Sequence, residues 1–165
     1  MMMNELNYTI VFNSPLEAGV RSLALLTASF PDSIDLHKLV ELDYLVVHSG
    51  DVGGPPSLHA PLPLRAGELL VRQDLVKAGL HLMISKGLVD SVVGEDGFSY
   101  IATESSSPFI KMLTSEYSLN LIDRANWAIN VFQDLPTHSI RFITNSFINK
   151  WSSQFHSAND KNGMK

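Results

Sequence analysis

The stretch from Tyr44 to Glu68 constrains the fold most, because it carries four Pro and four Gly in a short span. Proline has no backbone N–H to donate and glycine is conformationally loose, so regular structure cannot continue through its middle. Leu58, Leu62 and Leu64, which alternate with the prolines, are not the polar filler of a flexible linker. We therefore predict a loop, residues 49–64, that packs on a core in a largely fixed shape.

Two helices are expected before this loop. Ser14-Pro15-Leu16-Glu17 combines an N-cap hydroxyl, Pro at the first helical position and Glu three residues after the cap. This pattern predicts a helix from Pro15 to Ser29 with Leu16 on its buried side. A second helix is expected from near Ser33 to His48, with Tyr44 toward its end as a core ring.

Residues 65–86 after the loop predict a helix, either continuous or broken near Gly79. Its apolar residues form two stripes on a helical wheel, which indicates two packing partners. The exposed face is predicted to carry Asp74, Lys77, His81 and Ser85. Glu68 and Arg72 have the i, i+4 spacing of an ion pair, which would either orient the helix or clamp the loop or a partner.

Two β-prone runs, residues 88–93 and 98–103, flank Gly94-Glu95-Asp96-Gly97, a strong hairpin signal. Helices followed by a hairpin predict a mainly α fold with a winged helix-turn-helix core in residues 1–104. A long helix from Phe109 to Phe132 and a last helix from Thr137 should form a C-terminal helical pair, residues 105–156, packed on that core. The apolar stripe of the last helix is either core or a surface for another chain, and residues 157–165 should be a flexible tail.

The composition is that of a single globular protein without enzymatic apparatus. The 165 residues include no Cys, and 45% are hydrophobic, which is enough for a core. The sequence contains neither a phosphate-binding loop nor a Gly-x-Ser-x-Gly nucleophile motif. We expect no catalytic residue, no cofactor and no small-molecule substrate. Neither a membrane span nor a signal peptide is indicated, and the absence of Cys fits a cytosolic protein, so a cytoplasmic protein is expected.

Two alternatives follow from particular residues. His48, Asp51 and His59 could resemble a two-His, one-carboxylate metal site, but that signal is weak, and the favoured interpretation is that they hydrogen-bond the loop's own backbone and hold it rigid. The winged-helix prediction also suggests DNA binding. Residues 87–103 contain three acidic side chains and no Lys or Arg, so this wing would repel phosphates. A free DNA-binding regulator is therefore the weaker interpretation.

A longer pattern around the loop resembles a known family. It consists of Leu45-Val46-Val47-His48-Ser49-Gly50-Asp51, then Gly53-Gly54-Pro55-Pro56-Ser57-Leu58-His59, then Arg65-Ala66-Gly67-Glu68-Leu69-Leu70-Val71-Arg72. This pattern looks like the middle component of bacterial ABC-three-component systems, the small partners found in Lamassu-type antiphage and antiplasmid defence. The resemblance spans roughly residues 11–133. No residue can be carried over from the family as catalytic.

The resemblance implies a non-catalytic bridging subunit. Its partners would be an SMC-like ABC ATPase that senses DNA and an effector, commonly a nuclease, that the complex restrains until invasion. DNA would be contacted only indirectly, through the complex. We hypothesise that the loop residues and their neighbours dock a partner or structure the loop: Tyr44, His48, Asp51, Leu58, His59, Arg65, Glu68 and Arg72. The alternatives are a winged-helix transcriptional regulator or antitoxin-like protein, and a small metal-dependent enzyme.

Overall fold

Helices form most of the described chain, and a small three-stranded antiparallel sheet accompanies them. The computed structural model describes residues 14–60, 66–95 and 97–147, and only the backbone of residues 66–70. The elements are α1 (Pro15–Ser29), β1 (Ile34–Asp35), α2 (Leu36–Val47), a 3₁₀ turn (Ser49–Val52), α3 (Ala66–Ser85), β2 (Val89–Gly94), β3 (Gly97–Ala102), α4 (Ser106–Lys111) and α5 (Glu116–Phe132). Residues 137–147 form a further helix, α6. The prediction of a mainly α fold with a hairpin is confirmed.

The first two helices begin at polar caps. The Ser14 hydroxyl accepts a hydrogen bond from the Glu17 backbone N–H at 3.2 Å, as the capping pattern of α1 predicts. The prediction for α2 was wrong by a few residues, because Asp35 and not Ser33 caps it. Ile34 and Asp35 form the short strand β1 instead. The local capping chemistry therefore sets both helix starts.

Helices α1 and α3 cross at a pair of glycines. A Cβ atom on Gly79 would lie 2.4 Å from the backbone N of Gly19, so only glycine permits this approach. α3 is continuous through Gly79, and the alternative of a break there is wrong. The glycine serves close helix packing.

The two apolar stripes of α3 are buried to different depths. Val76, Leu80 and Met83 are buried, whereas Leu82 is half-buried and Val71 is exposed. α3 packs against both α1 and α2, as the expectation of two packing partners requires. The expectation that Leu16 is buried is wrong, because it lies in the first turn of α1, at the edge of the core. The polar face of α3 was predicted correctly: its members are exposed, namely Asp74, Lys77, His81 and Ser85.

The sheet has the strand order β1-β3-β2, and both pairings are antiparallel. Gly94 pairs with Gly97 where the hairpin closes, and Val89 pairs with Ala102 at its base. Ile34 of β1 pairs with Tyr100 of β3. The base of the sheet is buried, but β2 is exposed from Asp90 onward. The hairpin therefore projects from the helical body.

The long helix predicted from Phe109 to Phe132 is two helices, so that prediction is wrong. α4 ends at Lys111, and Ser115 caps α5 by accepting from the Ser118 backbone N–H at 3.1 Å. The apolar residues on both sides of this junction conceal it in the sequence. α5 packs against α1 and α2. No helix within the described ranges has both the length and the apolar character required to cross a bilayer.

α6 contributes to the core and to the surface. Ile140 is fully buried, whereas Phe142 and Phe147 are exposed. Trp151 and Phe155, which extend the predicted stripe, lie outside the described residues. The stripe of this helix is therefore core at Ile140 and exposed at Phe142 and Phe147, and its use as a surface for another chain stays a prediction.

Candidate functional site

Asp43 is the centre of a buried polar network that joins the three helices α1, α2 and α3. Its side chain is fully buried in α2. One carboxylate oxygen accepts from Nε of Arg21 in α1 at 2.7 Å, and the other accepts from Nη1 of Arg72 in α3 at 2.5 Å. Burial by itself would raise the pKa of the Asp43 carboxyl, but the two guanidinium groups outweigh it and lower that pKa. The carboxylate is therefore held ionised between two buried cations.

The network continues from Arg72 into the Gly/Pro loop. The guanidinium carbon of Arg72 lies 5.5 Å from the centroid of the Tyr44 ring, a cation–π distance. The Tyr44 hydroxyl donates to a carboxylate oxygen of Asp51 at 3.0 Å. The Tyr44 ring also lies 4.7 Å from the His48 ring, centroid to centroid. Tyr44 thus connects the buried ion triad to the first turn of the loop.

A second branch connects the far end of the loop to α5. His59 Nε2 lies 2.9 Å from the hydroxyl of Tyr117. Burial, and then the charges of Arg21 and Arg72, lower the pKa of His59 from 6.5 to about 4. Burial, and then the charge of Glu17, raise the pKa of Tyr117 to about 12. At neutral pH both groups are therefore uncharged.

Arg21 connects this branch to the ion triad. A guanidinium has only donors, so the Tyr117 oxygen accepts in its hydrogen bond with Arg21. In the hydrogen bond between Tyr117 and His59 Nε2, the donor depends on which ring nitrogen of neutral His59 carries the proton. Since Arg21 also binds Asp43, the network closes into a ring through the loop and all four helices α1, α2, α3 and α5.

Further contacts hold the loop against α2 and α5. The backbone N–H groups of Leu58 and His59 both donate to the Val47 carbonyl at 3.0 Å. Arg124 of α5 donates to the Pro56 carbonyl from Nη2 at 2.9 Å and from Nε at 3.2 Å. These bonds satisfy the carbonyl groups of Val47 and Pro56, which lie outside the regular hydrogen bonding of a helix or a sheet.

The loop also packs tightly against an aromatic ring. A Cβ atom on Gly54 would lie 2.2 Å from Cζ2 of Trp127 in α5. Within the loop, the Ser49 hydroxyl donates to the Pro55 carbonyl at 2.8 Å, and the Gly50 N–H donates to the Ser57 hydroxyl at 2.9 Å. These contacts agree with the predicted packed loop.

The comparison with protein families decides the relationship of this chain. The family model described as ABC-three component (ABC-3C) system Middle Component 2 matches residues 11–154. The chain belongs to this family. No curated protein and no solved structure matches the chain. The family assignment confirms the resemblance to an ABC-3C middle component.

Most of the residues singled out in this middle component lie in or beside the network. Tyr44, His48, Asp51, His59 and Arg72 are joined as described above, and His48 is almost completely buried. Leu58 is half-buried and packs against the core. Arg65 and the side chain of Glu68 lie outside the described residues, so the predicted Glu68–Arg72 pair does too.

Sequence reasoning missed four residues that hold the network and the loop, namely Asp43, Arg21, Tyr117 and Arg124. It identified Arg72 but not the ion pair that Arg72 forms with Asp43. The available signal was a charged residue inside an apolar helical run: Asp43 lies between Leu42 and buried Tyr44. Such a charge must find a buried partner, because an isolated ion in a core is very costly.

The hypothesis of a metal site at His48, Asp51 and His59 has little geometric support. Asp51 accepts from Tyr44, and His59 is hydrogen-bonded to Tyr117. Among residues 14–60, 66–95 and 97–147, no group of three His, Asp or Glu side chains is arranged to hold a metal ion. The observed contacts instead hold the loop in place.

Proposed function

We propose that this protein is a non-catalytic bridging subunit of an ABC-3C defence system of the Lamassu type. It would link an SMC-like ABC ATPase that senses DNA to an effector nuclease and hold that effector inactive until invasion. The observation that carries this proposal is the family match over residues 11–154. Partnership within a three-component system follows from the family, and the ATPase and nuclease identities are the proposal.

The orientation of the polar network supports a binding role over a chemical one. The groups best suited to catalysis are His48, His59 and Asp43. His48 and Asp43 are buried, and half-buried His59 is hydrogen-bonded to Tyr117. A catalytic acid, base or nucleophile must reach a substrate, and such groups usually line an open cleft. Here the same side chains fix the shape of the loop. The outward-facing residues of the loop are then the surface offered to a partner.

We further propose that the core is a winged helix. The order α1-β1-α2-α3-β2-β3 with strand order β1-β3-β2 supports this assignment. In such an arrangement α3 occupies the position of a recognition helix and the β2–β3 hairpin that of the wing. The Gly/Pro loop then takes the place of the short turn between α2 and α3. Its length provides a surface that a simple helix-turn-helix lacks.

Co-expression of the tagged protein with the other two components tests the bridging function. We expect both to co-purify with it, and we expect the effector's nuclease activity to be lower in the complex than for the effector alone. If neither component is retained, the protein is not a bridging subunit. If both are retained and the effector's activity is unchanged, restraint is not one of its roles.

A matched pair of substitutions tests the loop as a docking surface. Ala60 is the last described residue of the loop and is exposed, and Ala78 is exposed on α3. Arginine at Ala60 should weaken retention of a partner without lowering the melting temperature, because the side chain adds bulk only at the surface. Ala78→Arg is the control for added charge. Equal retention by both variants would exclude the Ala60 end of the loop from the interface.

The second candidate is a winged-helix DNA-binding regulator, which the strand and helix order also favours. The exposed face of α3 carries Lys77, but Asp74 lies one turn away on the same face, and Asp90 and Glu95 are exposed on the hairpin. Backbone phosphates require Lys and Arg, so this face is poorly suited to DNA. A gel-shift assay at physiological salt separates the two candidates. Specific binding by the isolated protein would favour the regulator.

A further inference from the structure

Strand β2 presents an open edge. Among the residues that the structure describes, β2 is paired only with β3, while β1 occupies the other side of β3. In an antiparallel ladder, alternate residues of an outer strand direct their N–H and C=O groups away from the neighbouring strand. Those groups on β2 are exposed to water or to another chain. A second strand could therefore pair along it.

This edge lacks most of the features that normally protect a sheet. Val89–Gly94 is six residues long and contains neither Pro nor Lys. Val92 and Val93 are 44% and 75% exposed and, as successive strand residues, point to opposite faces. Val93 pairs with Phe98 of β3, which is also exposed. The exposed part of the hairpin therefore carries an apolar cross-strand pair. Exposed apolar groups on an unprotected edge are typical of a strand that binds another chain.

The charges around β2 indicate the partner. Asp90 and Glu95 are exposed at its two ends, and residues 87–103 contain no Lys or Arg. A second copy of this chain would bring the same two carboxylates and no cation to the new ladder. Like charges along paired strands are destabilising, whereas opposite charges are favourable. A segment with apolar residues in the middle and Lys or Arg on both sides of them fits the edge better than a second copy does.

We propose that β2 binds an extended segment of another component of the same ABC-3C system, which adds to the sheet as a fourth strand. The segment carries apolar side chains in its middle, one on each face of the sheet, which cover Val92 and Val93, and basic side chains toward both ends, which meet Asp90 and Glu95. This inference rests on the proposed bridging function and names one of its contact surfaces. Backbone hydrogen bonds along β2 supply affinity, and the flanking charges select the basic segment.

Lysine substitution on the edge tests the proposal. Val92→Lys together with Val93→Lys should leave the fold intact, because both side chains are exposed, and should repel a basic segment. We expect the Kd for the component that binds to rise at least about tenfold, the loss expected for a central interface contact. Val131→Lys is the control, since Val131 is 51% exposed on α5. The component would be the purified ATPase or effector, titrated separately by calorimetry.

Charge reversal and amide exchange give independent measurements. Asp90→Lys together with Glu95→Lys should weaken binding at low salt, and the difference from wild type should shrink at high salt. Hydrogen exchange should show the outward β2 amides unprotected in the isolated protein and protected in the complex. Protection already present in the isolated protein would mean that the edge is occupied by another part of the chain or by a second copy, and would overturn the proposal.

The outcomes separate this inference from the proposed function. If wild type binds neither component, the bridging function fails and the strand partner fails with it. If wild type binds and the Val92/Val93 double variant binds equally well, only the strand-addition site is wrong. Dimerisation of the isolated protein that the lysine substitutions abolish would assign the edge to a second copy and would also overturn the proposal.

Discussion

Replacement of Asp43 by Asn should destabilise the protein severely, because it removes the carboxylate that bridges two buried guanidinium groups. Arg21 and Arg72 have 2% and 10% of their side chains exposed and lie 2.7 Å and 2.5 Å from the Asp43 carboxylate. Removing one partner from a buried ion pair costs about 3–5 kcal/mol, since the remaining charge stays desolvated. Asparagine preserves the shape and one acceptor oxygen, so the change is mainly one of charge. Its amide NH₂ would face a guanidinium that also has only donors.

The measurement is the free energy of unfolding from urea denaturation at pH 7, supported by thermal melts. For a domain of this size each kcal/mol corresponds to a shift of about 2–4 °C, so the melting temperature should fall by about 6–20 °C. The matched control is Asp123→Asn, whose side chain is 68% exposed and pairs with Arg124 at 3.1 Å. Exposed pairs contribute about 0–1 kcal/mol. Equal losses in the two variants would refute the reasoning that burial decides the cost.

A triple substitution that removes all three charges tests whether uncompensated charge causes the loss of stability. If the cost in Asp43→Asn comes from uncompensated charge, replacing all three groups by apolar side chains should avoid most of it. Arg21→Met, Asp43→Leu and Arg72→Met together should therefore be more stable than Asp43→Asn alone. A triple variant that is less stable than the single variant would show that the hydrogen bonds themselves, and not charge balance, carry the stabilisation.

The remaining predictions concern the loop and the helix crossing. The pKa of His59 is lowered to about 4, so folding favours its neutral form. The free energy of unfolding should therefore fall as the pH drops from 6.5 to about 4, and urea denaturation of His59→Gln should not show this decline. Gly79→Ala places a Cβ 2.4 Å from facing backbone and should cost about 1–3 kcal/mol in thermal melts, whereas Gly94→Ala, 3.8 Å from its nearest neighbour, should change little. Arg124→Ala should speed amide exchange in the loop, because the Pro56 carbonyl loses both donors, with a global cost of about 1 kcal/mol.

Asp43 gives a second, more acidic pH dependence. Its carboxyl pKa is lowered in the folded state, so the stability it contributes is complete above its ordinary pKa and is lost as the pH falls through the lower folded value. Wild type should therefore weaken first through His59 and then, at lower pH, through Asp43. The Asp43→Asn variant should retain the first phase and lack the second. Urea denaturation of wild type and this variant at a series of decreasing pH values measures the difference, and the same acid dependence in both would contradict the assignment.

The parts of the fold that the sequence predicted are those encoded by neighbouring residues. Ser14 and Glu17 lie within one turn, and Gly94 and Gly97 close a hairpin, so the start of α1 and the position of the β2–β3 hairpin could be predicted. The start of α5 was missed although Ser115 caps it in the same way. The apolar residues on both sides of Ser115 suggested one continuous helix. The helical periodicity of these apolar residues was given more weight than the local cap at Ser115.

The network could not be predicted, because its partners are distant in the sequence. Arg21 and Arg72 are separated from Asp43 by 22 and 29 positions, and which of them meet depends on how three helices cross. The i, i+4 pattern pointed to Glu68 as the partner of Arg72, whereas the described partner is a residue of another helix. The loop histidines were identified, but their connection to Tyr117 required the position of α5. Sequence spacing identifies partners within one helix and gives no information on partners that tertiary packing brings together.

The network and the proposed binding edge should respond to mutation in opposite ways. Asp43 is fully buried, whereas Val92 and Val93 are exposed, so substitution of Asp43 should lower stability while the folded fraction binds a partner with unchanged Kd. The Val92→Lys and Val93→Lys pair should do the reverse, weakening binding at nearly constant melting temperature. Measured at a temperature where Asp43→Asn remains folded, an unchanged Kd would separate the two roles. A large loss of affinity in that variant would instead mean that the ion triad and the edge form one cooperative unit, with the helices transmitting their packing to the sheet.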